Sequence, residues 1–146
     1  MTYRRLDPRT EEWLFERCRL VISAPARGVV LQRFIGHATP EVVEPITSRL
    51  ERAVAQHGTL RVFDDWEEAT GYESEVRVRL TEWTKRHREA IPLTHFLVRS
   101  KLLAMGLSVA NLAIDGGLEV HTTRAAFERE LAAAVQAATA SAGATR

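Results

Sequence analysis

The sequence predicts an α/β fold: a mixed, largely parallel sheet with an N-terminal antiparallel hairpin and four helices, in the order ββαβαβαβα. Three observations carry this. Two alternating apolar segments, Trp13–Ser23 and Val29–His37, flank the turn residues Ala24-Pro25-Ala26-Arg27-Gly28. Beyond them, segments of helical and strand periodicity take turns, the pattern of parallel strands joined by crossover helices. The 146 residues contain no linker-like stretch, which implies one domain over 13–138, preceded by a polar lead-in, 1–12, and followed by a small, polar tail, 139–146, expected to be disordered.

Each element has its own local reason. In the first strand Cys18, Leu20 and Ile22 share one face and Arg17 and Arg19 the other. Thr39-Pro40 reads as an N-cap followed by proline in the first turn, Val42, Val43, Ile46, Leu50, Ala53 and Val54 recur at helical spacing, and Gly58 ends the helix. A short strand, Thr59–Asp64, leads into DWEEATGYES, which reads as an acidic loop. The second helix starts at Glu73 or Ser74 and turns Val76, Leu80 and Trp83 inward, with Glu–Arg pairs four residues apart on its outer face. After Pro92, Leu93–Val98 is a strand, and Ser100 caps a third helix whose face of Leu102, Met105, Val109 and Leu112 is expected to pack inward. Asp115-Gly116-Gly117 ends that helix, Leu118–Thr122 is the last strand, and Thr123 caps a final helix through Phe127, Leu131 and Val135. Gly106, interior to the third helix, is expected to mark a close approach of a neighbouring element.

Composition removes several functions. Hydrophobic residues make up 45% and charged residues 27%, as in an ordinary globular protein. Twenty basic against nineteen acidic residues leave a net charge of +1, too little to draw the chain to nucleic acid or an anionic membrane. The single cysteine, Cys18, excludes an intramolecular disulfide and a Cys-based zinc site, and is expected to be a buried thiol. That cysteine usage, an N-terminus without an apolar signal core, and the lack of a long apolar run together place the protein in the cytoplasm. His37, His57, His87, His95 and His121 show no paired metal spacing, so neither a metal nor another cofactor is expected, and the glycine pattern of a dinucleotide fold is missing. The basic strip Arg77–Arg88, interleaved with Glu82, reads as a solvated helix face.

The stretches RVFDDWEEATGYESEVRVRLTEW and HFLVRSKLLAMGLSVANLAIDGGLEVHTTRAAFERELAA, in this element order, resemble the STAS superfamily: the anti-sigma-factor antagonists, the matching domains of sulfate transporters, and STAS-like bacterial proteins. The resemblance spans about residues 13 to 137 and implies a non-catalytic regulatory module of bacterial type that works by binding another protein. In the antagonists a serine after an aspartate at the start of the second helix is phosphorylated, which breaks the complex. TGYESEV puts Glu73 and Ser74 at those places, while Glu75-Val76 replaces the family's Ser-Gly or Thr-Gly and adds a charge that repels a phosphate.

The candidate partner-binding or switch residues are therefore Asp64, Asp65, Trp66, Tyr72 and Ser74, at the carboxyl end of a strand and the start of a helix. Arg99 and Ser100, ending the next strand, form a candidate anion site, with an ion pair between Arg99 and Asp64 as the plainer reading. The competing class is a small ligand-binding protein or enzyme using the acidic segment with Arg99 and Ser100. A pocket of about 300 Å³ or more beneath that segment would favour it, and a filled interior the protein-binding module. A third reading is a homodimer formed through Trp13 and Phe34 of the hairpin.

Overall fold

Seven strands follow one another across a single sheet in chain order. In this computed structural model, which describes residues 1–144 and side chains through 141, they are β1 (Thr2–Asp7), β2 (Thr10–Leu14), β3 (Cys18–Ala26), β4 (Val29–Ala38), β5 (Arg61–Tyr72), β6 (Thr94–Val98) and β7 (Leu118–His121). The helices are α1 (Val43–His57), α2 (Ser74–Arg86), α3 (Lys101–Ala113) and α4 (Arg124–Ala144). Pairing is antiparallel from β1 to β4 and parallel from β4 to β7. The mixed α/β sheet with antiparallel N-terminal strands and four helices is the architecture the sequence implies.

Three boundaries differ from that reading, each for a physical reason. Trp13–Ser23 is not one strand: the chain turns at residues 15–17, where the Phe15 N–H donates to the Cys18 carbonyl at 2.9 Å. Trp13 then lies opposite Leu20. The turn contains no proline or glycine of its own, so nothing in its residues interrupts the alternation. The glycine that permits it is Gly36, at φ +100°, where a Cβ would run into the Arg17 carbonyl. The lead-in is likewise structured, since Thr2–Asp7 adds an edge strand. It is held by Arg4, which with Arg19 donates to the two oxygens of Glu12 at 2.5 Å each. These guanidinium hydrogen bonds, that of Arg4 first, hold the Glu12 carboxyl below its ordinary range. The expected tail continues α4 to Ala144 as an alanine-rich segment of high helix propensity, directly after Ala138, which packs against the core beneath α4, and residues 145–146 lie outside the described residues.

The strand order decides where the cores lie. Each of β5, β6 and β7 is added on the same side of its predecessor, so crossovers of one hand bring α1, α2 and α3 to one face of the sheet. Their core contains Leu20, Phe34, Ile46, Leu50, Val62, Trp66, Val76, Trp83 and Leu103. Among the described residues, only α4 covers the other face, where Val29, Phe63, Leu97, Phe127 and Ala134 meet. Trp13 and Phe34 are both buried in the first core, so the hairpin does not present these two side chains to a second copy. Cys18 is buried as expected. Among the described residues, no helix is long and apolar enough to cross a membrane.

Helix α3 packs by the face opposite to the one expected. Leu103, Gly106 and Ala110 face inward, and Leu102, Met105, Val109 and Leu112 are exposed. The helix is apolar nearly all round, so two stripes fit its period equally well, and the choice falls to shape. Gly106 sits against Tyr72 at the end of β5, where a Cβ would overlap the phenol hydroxyl. A helix presenting Met105 there could not approach so closely.

Gly106→Ala should therefore destabilise the protein by about 1–3 kcal/mol, although alanine is the better helix former. In a Tyr72→Phe background the loss should be smaller, because the overlapping oxygen is gone. Urea denaturation of the four proteins in the cycle checks both.

Candidate functional site

Residues 65–72 of the expected acidic loop belong to β5, which runs unbroken from Arg61 to Tyr72, and Glu73 and Ser74 lie at the start of α2. Parallel pairing to β4 continues through Ala69↔Gly36 and Tyr72↔Ala38 with two irregularities that absorb the extra residues. Loop-like composition yields here to hydrogen bonding along β4 and, over the first half of the strand, along β6. Alternation then sends Asp64 and Trp66 toward α1–α3, and Asp65 toward α4.

Asp64, Asp65 and Trp66 are all buried, which corrects their expected exposure in a docking loop. The Trp66 ring packs on Phe34 (centroids 4.8 Å apart) and edge-on against Phe96. Asp65 accepts from the Arg124 guanidinium at 3.0 Å, which also reaches Glu67 at 3.1 Å, so this acid anchors the start of α4. Tyr72 is half-buried against Gly106, and Ser74 is the exposed first residue of α2, following Glu73 in the cap position. Ser100 is the α3 cap, its hydroxyl accepting from the Leu103 N–H at 3.3 Å. Arg99 is exposed and does not pair with Asp64, so the ion pair expected between them is not formed.

The partner of Asp64 is Gln32, directly across the β4–β5 ladder, whose Nε2 donates to Oδ1 at 2.8 Å. The two side chains border a cavity of about 110 Å³ between the sheet and the helices, otherwise walled mainly by apolar groups including Leu50, Trp66, Val76 and Leu103. Burial pushes the Asp64 carboxyl up to about 8, against the opposing effect of the Gln32 hydrogen bond. At neutral pH it is therefore mostly the neutral acid, able to donate a proton in a hydrogen bond. Gln32 Oε1 is buried without a partner, an acceptor in the same apolar space. Sequence reasoning passed over Gln32, and the available signal was a polar residue in the inward series Val30–Gln32–Phe34.

The second feature is on the outside. Leu102, Met105, Val109 and Leu112 are 60%, 66%, 53% and 84% exposed and recur along one side of α3. An apolar stripe of this kind is a usual mark of an interaction surface. Through the Gly106–Tyr72 contact, α3 adjoins the end of β5 that leads into Glu73, Ser74 and Glu75.

No protein-family model and no curated protein sequence matches the chain. Solved structures do. An uncharacterized protein of the DUF3478 family with a SpoIIAA-like fold, from Shewanella loihica PV-4, superposes with a TM-score of 0.59 at 17% identity, covering 82% of this chain and 97% of that one. The anti-sigma factor antagonist SpoIIAA in its unphosphorylated form gives a TM-score of 0.58 at 18% identity, covering 77% and 96%. The fold is STAS-like. Within this STAS-like frame the Gln32–Asp64 pair lies beneath the helices, and the apolar stripe is on the outside of the third of them.

The buried acid makes stability pH-dependent. Its folded value, about 8, is above the unfolded value of about 3.9, so the native state holds the proton more tightly. The contribution is complete below pH 4 and falls by up to about 1.4 kcal/mol per pH unit as pH rises toward 8. Asp64→Asn keeps the shape without the charge. Its stability relative to wild type should rise steadily from pH 5 to pH 8, measured by urea denaturation at each pH. Taking the difference also cancels His95, which burial holds below its ordinary range and which titrates in the opposite sense. A constant difference would show that Asp64 is ionised throughout.

Proposed function

We propose that the chain is a non-catalytic regulatory module that binds another protein through the outward face of α3 and the adjoining start of α2. The exposed stripe of Leu102, Met105, Val109 and Leu112 carries this reading. An all-polar outer face would satisfy the fold equally well, so four large apolar side chains in water are best accounted for by a partner that covers them. The STAS-like fold supports a protein as that partner, because SpoIIAA, of the same fold, is an anti-sigma factor antagonist. The space beneath the acidic segment agrees: a cavity of about 110 Å³ is well below the roughly 300 Å³ at which small-molecule pockets begin. Asp64, Asp65 and Trp66 act in this reading by shaping the sheet under the surface. Tyr72, Ser74 and Arg99 remain at or near it. Ser74 is accessible as a phosphoacceptor, and a phosphate there would stand between Glu73 and Glu75 and make the rim more acidic.

Leu102→Ser, Met105→Ser and Leu112→Ser combined should leave the melting temperature within a few degrees of wild type, since all three side chains are in water. A partner recovered from the native cell with wild type, then purified and titrated by calorimetry, should bind the triple variant at least about 100-fold more weakly. Equal affinity would overturn the surface. If the stripe is instead covered by a second copy, sedimentation of the pure chain will show a dimer that the triple variant loses. If it is covered by lipid, wild type will float with vesicles and the variant will not. Ser74→Asp weakens the same titration if the serine is a switch, and leaves it unchanged if the serine only begins a helix.

A second reading rests on Gln32 and Asp64. The free acceptor and the neutral acid offer complementary hydrogen bonds to one polar group, in a space suited to an apolar fragment of about the size of a single ring. A ligand of this kind would raise the melting temperature of wild type and of the triple serine variant alike, but not that of Gln32→Leu.

A further inference from the structure

The face covered by α4 holds a cluster that linear spacing conceals. Pairing of β6 with β7 sets His95 opposite Glu119 and Leu97 opposite His121. Alternation turns Glu119 and His121 to the same side as His95, toward α4. His95 Nδ1 then lies 3.0 Å from His121 Nε2, with Glu119 Oε2 3.8 Å from the first nitrogen and Oε1 4.0 Å from the second. Two ring nitrogens and a carboxylate converge on one point between adjacent strands.

We propose that His95, Glu119 and His121 bind a divalent transition-metal ion of the zinc class. Bonds of 2.0–2.1 Å in a tetrahedral site separate neighbouring donors by about 3.3 Å, so the nitrogens need to part slightly and the carboxylate to move in by roughly half an ångström. Glu119 is half exposed and free to make that adjustment, whereas both imidazoles are buried and held. Phe63 stacks flat on His95, with centroids 4.6 Å apart and 3° between planes. Phe127 and the His121 ring meet edge to face, and the two histidines lie nearly parallel at 16°. These walls fix the ring planes, the usual task of the shell around a metal site. A hydrogen bond between two histidines accounts for the nitrogen contact but not for the carboxylate converging on both rings.

The donor set narrows the ion. Two imidazoles and a carboxylate, with no thiolate, suit Zn²⁺, Co²⁺, Ni²⁺ or Fe²⁺ better than Cu⁺ or the oxygen-seeking Mg²⁺ and Ca²⁺. Three protein ligands leave a fourth position on the exposed side of Glu119, where water would complete the shell. An ion there would tie the edge strand β7 to β6 under the start of α4, on the opposite side of the sheet from the α3 stripe.

The test uses the untagged full chain, freed of metal with EDTA. Titration with Zn²⁺ by calorimetry should give one ion per chain with a Kd in the micromolar range or tighter, and Co²⁺ should give the visible absorption of a four-coordinate ion. His121→Ala should weaken Zn²⁺ by about 100-fold and Glu119→Gln by about 10-fold. His57→Ala and His87→Ala should bind as wild type. Glu119→Gln changes a half-exposed group without altering its shape, so its metal-free melting curve should match wild type even if His121→Ala folds poorly. Zinc should raise the wild-type melting temperature more than that of Glu119→Gln. The proposal is overturned if wild type binds Zn²⁺ only at millimolar concentration, or if wild type and Glu119→Gln bind it equally.

Discussion

Strand β5 is hydrogen-bonded along both edges over its first half, and this leaves each side chain there only two directions to point. Val62, Asp64 and Trp66 go to the helices α1–α3, and Phe63 and Asp65 to α4. The rest of the molecule is arranged around that division. The two aromatic rings, on opposite faces, each become the centre of a separate cluster, Trp66 with Phe34 and Phe96, Phe63 with His95 and Phe127. The two aspartates, adjacent in the chain, have opposite fates. Asp65 meets an arginine at the start of α4, whereas Asp64 meets only an amide in an apolar space and takes up a proton instead.

A buried neutral acid beside a glutamine is an unusual way to fill the floor of a core. Two apolar side chains of similar volume would avoid the desolvation of both groups and leave no acceptor without a partner. The arrangement is retained at a cost in stability that grows with pH, which marks it as a polar centre in an otherwise apolar layer. Its position explains why Trp66 and Tyr72, which suggest an exposed aromatic contact by composition alone, contribute to the roof and walls of an internal space.

The exposed stripe of α3 follows from the same packing. Gly106 allows the helix to approach Tyr72, and the close approach selects Leu103 and Ala110 as its inner neighbours. Leu102, Met105, Val109 and Leu112 are then left in water by geometry rather than by their own chemistry. One glycine thus joins the filling of the core to the making of an interaction surface. The two faces of the sheet are also independent in kind: one carries the polar pair and the apolar stripe, the other the two stacked histidines under α4.

The sequence by itself determined the fold class, most helix ends and the alternation of helices and strands from β4 onward, but not the two extra strands before it. These depend on local signals: proline in the first turn before α1, Gly58 after it, the Ser100 and Thr123 caps, and alternation in β3, β4 and β6. The STAS-like resemblance was also legible there, because it rests on that order. Tertiary structure alone decided the rest. Whether DWEEATGY is a loop or a strand depended on the edge of β4 being available to pair with it, and composition cannot record that. Which stripe of α3 turns inward depended on the distance to Tyr72, because periodicity is satisfied by either stripe when both are apolar. Gln32 and Asp64, 32 residues apart, and His95 and His121, 26 apart, became neighbours only through strand register. A chain can state which residues alternate and which will cap a helix. It cannot state which strands will lie side by side, and contacts made across a sheet are set by that choice.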